Sequence, residues 1–246
     1  MHALLCFSAS HLRHITPAPG VYDVLVYHHK SRALALMQTE LSSLDSVDGM
    51  KDHIFATSSF LATQTLSEFS SSSATSPNIE WIHLMRGTKA VLAPMWEHRE
   101  QSVFYSHLAY TSPEISNSPT ALEKFNLSDV MAHLPSAYSS HVVQLGNLID
   151  ELFPERRYKL PPAEDHDHPE SRFAGNVKHR TRDLFVWVVL LPTTFASRVE
   201  EHDPGILKVL AWLNAAMREL YHLDRSNWWM DNMAQHGVRD VLRFLQ

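Results

Sequence analysis

Between Tyr22 and Leu44 the apolar side chains do not alternate. Tyr22, Leu25, Val26, Ala33, Leu36, Met37, Leu41 and Leu44 instead fall near one face of a helix. A row with period 3.6 does not sit still as a strand, whose faces repeat every second residue. The same spacing governs most of the chain. Ile54, Phe55, Ser58, Leu61 and Leu66 make one side of a helix over 52–66. Trp81, Leu84, Met85, Thr88, Val91 and Leu92 continue the period, and Val142, Val143, Leu145, Leu148, Ile149 and Leu152 repeat it over 140–153. Glycine points the same way: seven among 246 residues offer few of the positive-φ turns that hairpins need. The expected fold is all-α, a multi-helix bundle forming one domain over 1–246, long enough to bury a large core and enclose a hydrophobic cavity.

Residues 2–14 read as a short apolar helix stopped by Thr16-Pro17-Ala18-Pro19-Gly20. The near-continuous apolar run Leu184 to Leu191 has no partner run of similar character, so it reads as a buried helix ending at Pro192. Asp203-Pro204 is a helix start, with Asp as N-cap and Pro at the first helical position. Ser226 is the expected cap of a last helix carrying Trp228, Trp229, Met233, Val241, Leu242 and Leu245. Gly87 stands inside a helix, where it costs about 1 kcal/mol relative to Ala, and it predicts a close helix contact. Mobile loops are expected at about 67–78, 111–119 and 158–171.

The net charge of −6 argues against direct nucleic-acid contact, which calls for a basic face. No run reaches ~18 apolar residues, so no membrane span is expected. The apolar N-terminus lacks a basic n-region and reads as a core helix of an intracellular chain, cytoplasmic or nuclear, rather than a signal peptide. The single cysteine, Cys6, excludes an intrachain disulfide and a cysteine-rich zinc site, and its apolar helix predicts an inert thiol. Asp165-His166-Asp167-His168 reads as a solvated loop. His28-His29 share neither a face nor i,i+4 spacing with another histidine. Arg156, Arg157 and Lys159 read as a solvated helix end. No metal is assigned. With no G-x-S-x-G elbow, Walker or dinucleotide glycine pattern, no cofactor is expected either.

Four stretches, in order, resemble the C-terminal, ligand-sensing domain of fungal binuclear-zinc-cluster transcription factors, in the branch of the sterol-uptake regulators. They are His2-Ala3-Leu4-Leu5 through Phe7-Ser8-Ala9 and His11-Leu12; Tyr22 with His28-His29 and Ala33-Leu34; Trp81-Ile82-His83-Leu84-Met85-Arg86-Gly87, the most specific; and Asp203-Pro204-Gly205-Ile206-Leu207 with Trp228-Trp229. The resemblance implies helices around a cavity that takes a sterol, whose loss drives relocation and activation. It also implies a six-cysteine zinc cluster that one cysteine does not supply. Taken as complete, the chain is expected not to bind DNA in that family's way.

Trp81, Met85, Trp187, Phe195, Trp212, Trp229 and Met230 are the candidate walls of a site for a flat, greasy ligand, being aromatic or thioether side chains with weak polarity. Trp96 and Trp228 belong to the same set. Trp228 and Trp229, adjacent on a helix, point about 100° apart and do not both face one cavity. His83, Arg86 and Tyr105 are candidate hydrogen-bond donors to a carbonyl. These residues fit three functions. One is a regulatory module that binds a sterol or terpenoid and acts by protein contacts. The second is a cofactor-free enzyme, a cyclase or isomerase that works by imposed proximity, including intramolecular cycloaddition. The third is a scaffold or dimerising partner, and the sequence leaves a homodimer open.

Overall fold

A computed structural model describes residues 1–16, 20–42, 51–68, 77, 79–104, 132, 134–152 and 169–246, with side chains except at 92, 94–96, 150–152 and 169–179. The chain is all-α, and no strand occurs among the described residues. Its contacts divide it into two compact units: Met1–Ser70 with Asn78–Pro113, and Ser71–Pro77 with Glu114–Gln246.

The first unit holds α1 (His2–Ile15), α2 (Val21–Ser42), α3 (Asp52–Ser67), α4 (Glu80–Leu92) and a 3-10 stretch, Ala93–Gln101. α1 buries only small side chains, Ala3, Cys6, Ala9 and Ser10. Cys6 and Ala9 meet Val26, and Ala3 meets Ala33 and Leu61, so α1 and α2 run antiparallel and close together. Toward the end where the chain passes from α1 to α2, Glu68 accepts from Lys30 at 3.1 Å and Arg13 at 3.4 Å, and Arg13 also reaches Asp23 at 2.8 Å. These partly exposed pairs fix register more than they stabilise, at under about 1 kcal/mol each. Asp52 accepts from Ser102 Oγ at 2.5 Å and from the Val103 amide at 2.9 Å, returning the 3-10 stretch to the start of α3.

The second unit holds α5 (Ser139–Leu152), α6 (Pro169–Leu190), α7 (Phe195–Glu200), α8 (Pro204–Leu223) and α9 (Asp231–Leu242). α8 is its axis and buries Ile206, Leu207, Val209, Leu210, Leu213, Met217 and Leu220. It starts as the sequence predicts. Asp203 accepts from the amides of Gly205 at 2.9 Å and Ile206 at 3.1 Å, and also pairs with Arg198. α9 lies close against α8. Asn214 Nδ2 donates to Gly237 O at 3.0 Å, and a Cβ at Gly237 would come within 3.1 Å of the Asn214 amide.

Several boundaries differ from the sequence reading. Residue 67 belongs to α3, and α6 begins at Pro169 rather than after 171. Residues 69–76, 111–119 and 158–168 lie outside the described residues. Ser226 caps no helix. Its amide donates to Asp224 Oδ1 at 2.9 Å, and α9 starts only at Asp231. Trp228 and Trp229 therefore stand in a 3-10 turn, Trp228–Met230, where successive side chains point about 120° apart rather than 100°. Gly87 makes no close helix contact: a Cβ there meets nothing within 4 Å.

Candidate functional site

That open space at Gly87 belongs to a groove of about 320 Å³ between α2, α3 and α4. Met37 and Leu41 of α2 and Ser58 and Leu61 of α3 form two sides. From α4 come Leu84, Gly87, Ala90 and Val91, with His83. The α4 residues share a face because they recur at three- and four-residue steps. Glycine at the middle of that face removes the side chain that would fill the opening. The lining is aliphatic apart from Ser58 and His83. Ser58 Oγ donates to Phe55 O at 2.9 Å, which leaves its lone pairs as acceptors. A volume of this order suits a small apolar ligand oriented by a few polar atoms.

A second cavity, about 220 Å³, lies along the same helices toward the start of α1, lined by Met1, His2, Ala33, Leu36, Glu40 and His53 among others. Met37 lines both. A flexible thioether is all that α2 places on the shared wall, and Met is the side chain best able to repack there.

Of the residues singled out from sequence, His83 lines the groove. Trp81 and Met85 lie outside the groove lining, about 120° and 160° from Gly87 around α4 at 100° per residue. Trp81 is fully buried, and its indole Nε1 has no hydrogen-bond partner among the described residues. Arg86 is half-buried. Tyr105 lies outside the described residues, as does the side chain of Trp96.

The remaining five belong to the second unit. Trp187 is buried, and its Nε1 donates to His141 O at 2.8 Å. His141 Nε2 in turn lies 3.0 Å from Leu190 O, a staple between α5 and α6. Phe195 is fully buried beside Tyr138, their ring centroids 6.4 Å apart, and the Tyr138 hydroxyl meets Thr194 Oγ1 at 2.6 Å. Trp229 is half-buried against Phe185, with centroids 5.2 Å apart. Trp212 is half-buried and Met230 fully buried.

Sequence spacing missed one cluster. His2 Nδ1 lies 3.0 Å from His29 Nδ1, and the His28 and His29 rings stand 5.1 Å apart. One ring nitrogen donates and the other accepts, so the contact requires at least one neutral imidazole. Burial holds His2 below the usual imidazole range, reinforced by His29, Arg32, His28 and the chain N-terminus. No spacing within α2 could show this, because His2 arrives from α1. Among the described residues no group of three or more His, Cys, Asp or Glu is arranged to hold a metal ion. The Cys6 thiol is fully buried and pushed up to about 11 by desolvation, with Glu68 adding to it, which removes it as a nucleophile. No helix among the described residues is long and apolar enough to cross a membrane.

Residues 1–184 match the family model described as fungal specific transcription factor domain. The chain is also similar to Sterol uptake control protein 2 of Candida albicans. The two are 24% identical over 233 residues, which take in 92% of this chain and 31% of that protein. The chain thus spans about a third of the length of this curated relative. Both findings agree with the resemblance carried by the helix motifs.

Proposed function

The chain belongs to the fungal specific transcription factor domain family, and from that premise we propose that it is a regulatory domain which binds a hydrophobic small molecule, of sterol or terpenoid type, in the groove between α2, α3 and α4. One observation carries this reading. α4 keeps a glycine in mid-helix at the centre of an aliphatic groove, with no helix contact to require it. The relative's name, Sterol uptake control protein 2, supports the ligand class. Binding would be driven by burial of the ligand's apolar surface, with His83 or Ser58 orienting a single polar group. Occupancy is relayed by contacts with other proteins in the cytoplasm or nucleus. A net charge of −6 favours that route over direct contact with nucleic acid.

A second reading is favoured by His83 alone. An imidazole on the wall of an apolar groove suits a cofactor-free cyclase or isomerase acting on a terpenoid-like substrate. One experiment separates the two. The purified chain is incubated with a panel of sterols and terpenoids, and native mass spectrometry is followed by extraction and chromatography. A sterol retained and recovered unchanged is the expected result. A compound recovered with the same mass but a new retention time would replace the regulatory reading with the catalytic one. Gly87→Phe, whose Cβ has nothing within 4 Å, puts a ring into the groove and is expected to weaken retention at least tenfold. Full retention by that variant would remove the groove as the site.

A further inference from the structure

The groove and the second cavity share two of their walls. Along α2 the lining follows a single row, Ala33, Met37 and Leu41, at steps of four residues. Along α3 it follows Ile54, Thr57, Ser58 and Leu61, again one helix face. Ala33, Ile54 and Thr57 belong to the second cavity, and Leu41, Ser58 and Leu61 to the groove. Only the third wall changes, from the start of α1 to α4. Met37 stands at the division, partly buried, packed on the cluster of Ala3, Ala33 and Leu61 and on that of Ile54 and Val91. An unbranched thioether can turn aside there without a backbone change. Size gives a reason for it to do so. Ligand pockets run from about 300 to about 1,000 Å³. The groove alone, at about 320 Å³, stands at the foot of that range, and the second cavity adds about 220 Å³.

We propose that the two cavities form one elongated site whose ligand passes Met37 and carries a neutral oxygen, such as a hydroxyl, at each end. The proposal rests on the groove being a ligand site, and it narrows the ligand from sterols and terpenoids in general to those oxygenated twice. The polar lining sets the two ends. His83 stands on the groove wall, two turns of α4 or about 12 Å from Val91, which packs on Ile54 beside His53. A rigid fused-ring skeleton covers such a span. At the far end His2, His53 and Thr57 can donate, and Glu40 and Thr57 can accept. Glu40 opposes a carboxylate, and the two imidazoles oppose an amine. A hydroxyl, which both donates and accepts, satisfies the mixture. Glu40 and His53 are each more than half exposed and lie 3.5 Å apart, so they meet the ligand at the mouth of the site.

The test uses the full 246-residue chain and two labelled probes, cholesterol, with one hydroxyl, and 25-hydroxycholesterol, with one at each end. Equilibrium dialysis is expected to show the second bound at least about threefold tighter, as one added hydrogen bond supplies. Replacing both exposed side chains, Glu40→Leu with His53→Leu, is expected to leave cholesterol unchanged and to remove the preference. Thr57→Phe fills the second cavity and touches no part of the groove lining, yet it is expected to weaken both probes at least about tenfold. Equal affinities in the native chain would overturn the proposal. So would a preference that survives the double leucine variant, or Thr57→Phe binding both probes as the native chain does. In each of those cases binding that is still lost in Gly87→Phe leaves the groove standing as the site. A native chain that binds neither probe removes the groove reading, and this proposal with it. Should Thr57→Phe lose its helical circular dichroism, the double leucine variant decides alone.

Discussion

Two glycines with opposite surroundings give opposite predictions. Gly237 sits where α9 touches Asn214, and a Cβ there must push a buried, hydrogen-bonded amide. Gly237→Ala is expected to destabilise the chain by about 1–3 kcal/mol, the usual cost of overpacking, read from the urea midpoint. Gly87 has open space and ordinary helical geometry, so Gly87→Ala is expected to stabilise by up to about 1 kcal/mol. A wild-type residue that sacrifices stability at an open groove is what a ligand site would explain. His2 gives a prediction in pH. Its folded value lies below the ordinary 6.5. As pH falls through 6.5 the unfolded chain takes up a proton that the folded chain refuses, so stability drops, and the drop ends at the folded value. The groups around it are His28, His29 and Arg32 of α2 and the chain N-terminus. His53 and Glu40, lining the same cavity, pair with each other at 3.5 Å. Melting curves from about pH 7.5 to about pH 5.5 should fall more steeply for the native chain than for His2→Gln. Equal slopes would mean that His2 takes no part. Cys6 was legible from its apolar helix alone. The partnership of His2 with His29 was not, because it is made by two helices meeting.

At the scale of the element, local chemistry predicts starts better than it predicts faces. Asp203-Pro204 reads as a helix start because the carboxylate, the amides it caps and the fixed φ of proline lie within four residues. Asp203→Ala is expected to cost about 1–2 kcal/mol, since it removes the cap as well as the pair with Arg198, whereas Asp203→Asn keeps the cap and should cost less. Thermal unfolding of the two variants would check the order, and equal losses would mean that the ion pair dominates. Ser226 looked equally suitable as a cap. Asp224 accepts from the Ser226 amide, and the chain then spends Trp228–Met230 in a 3-10 turn. In α4 the helical period was legible. Which of its two apolar faces meets the groove depends on where α2 and α3 stand, and no single helix carries that information.

At the scale of the whole molecule, two compact units make the location of binding a measurable property. The groove draws its walls from α2, α3 and α4, all in the first unit. The aromatic residues Trp187, Phe195, Trp212 and Trp229, which the sequence offered as a ligand wall, all lie in the second. A ligand stabilises the part of the structure it binds by RT ln(1 + [L]/Kd), about 2.7 kcal/mol at a hundredfold excess over Kd. Amide exchange reports that gain segment by segment. A saturating sterol is therefore expected to slow exchange in α2, α3 and α4 by up to about a hundredfold and to leave α8 at its unliganded rate. Protection centred on α6 and α8 would move the site to the aromatic set, where the packed surroundings of Trp187 and Phe195 would have to open to admit a ligand. Protection in both units at once would mean that they unfold as one, so that binding in the first is felt in the second. The regulatory reading does not need that coupling: a groove formed by three helices informs a partner protein whenever its occupancy changes a surface the partner touches, and the first unit carries such surfaces of its own.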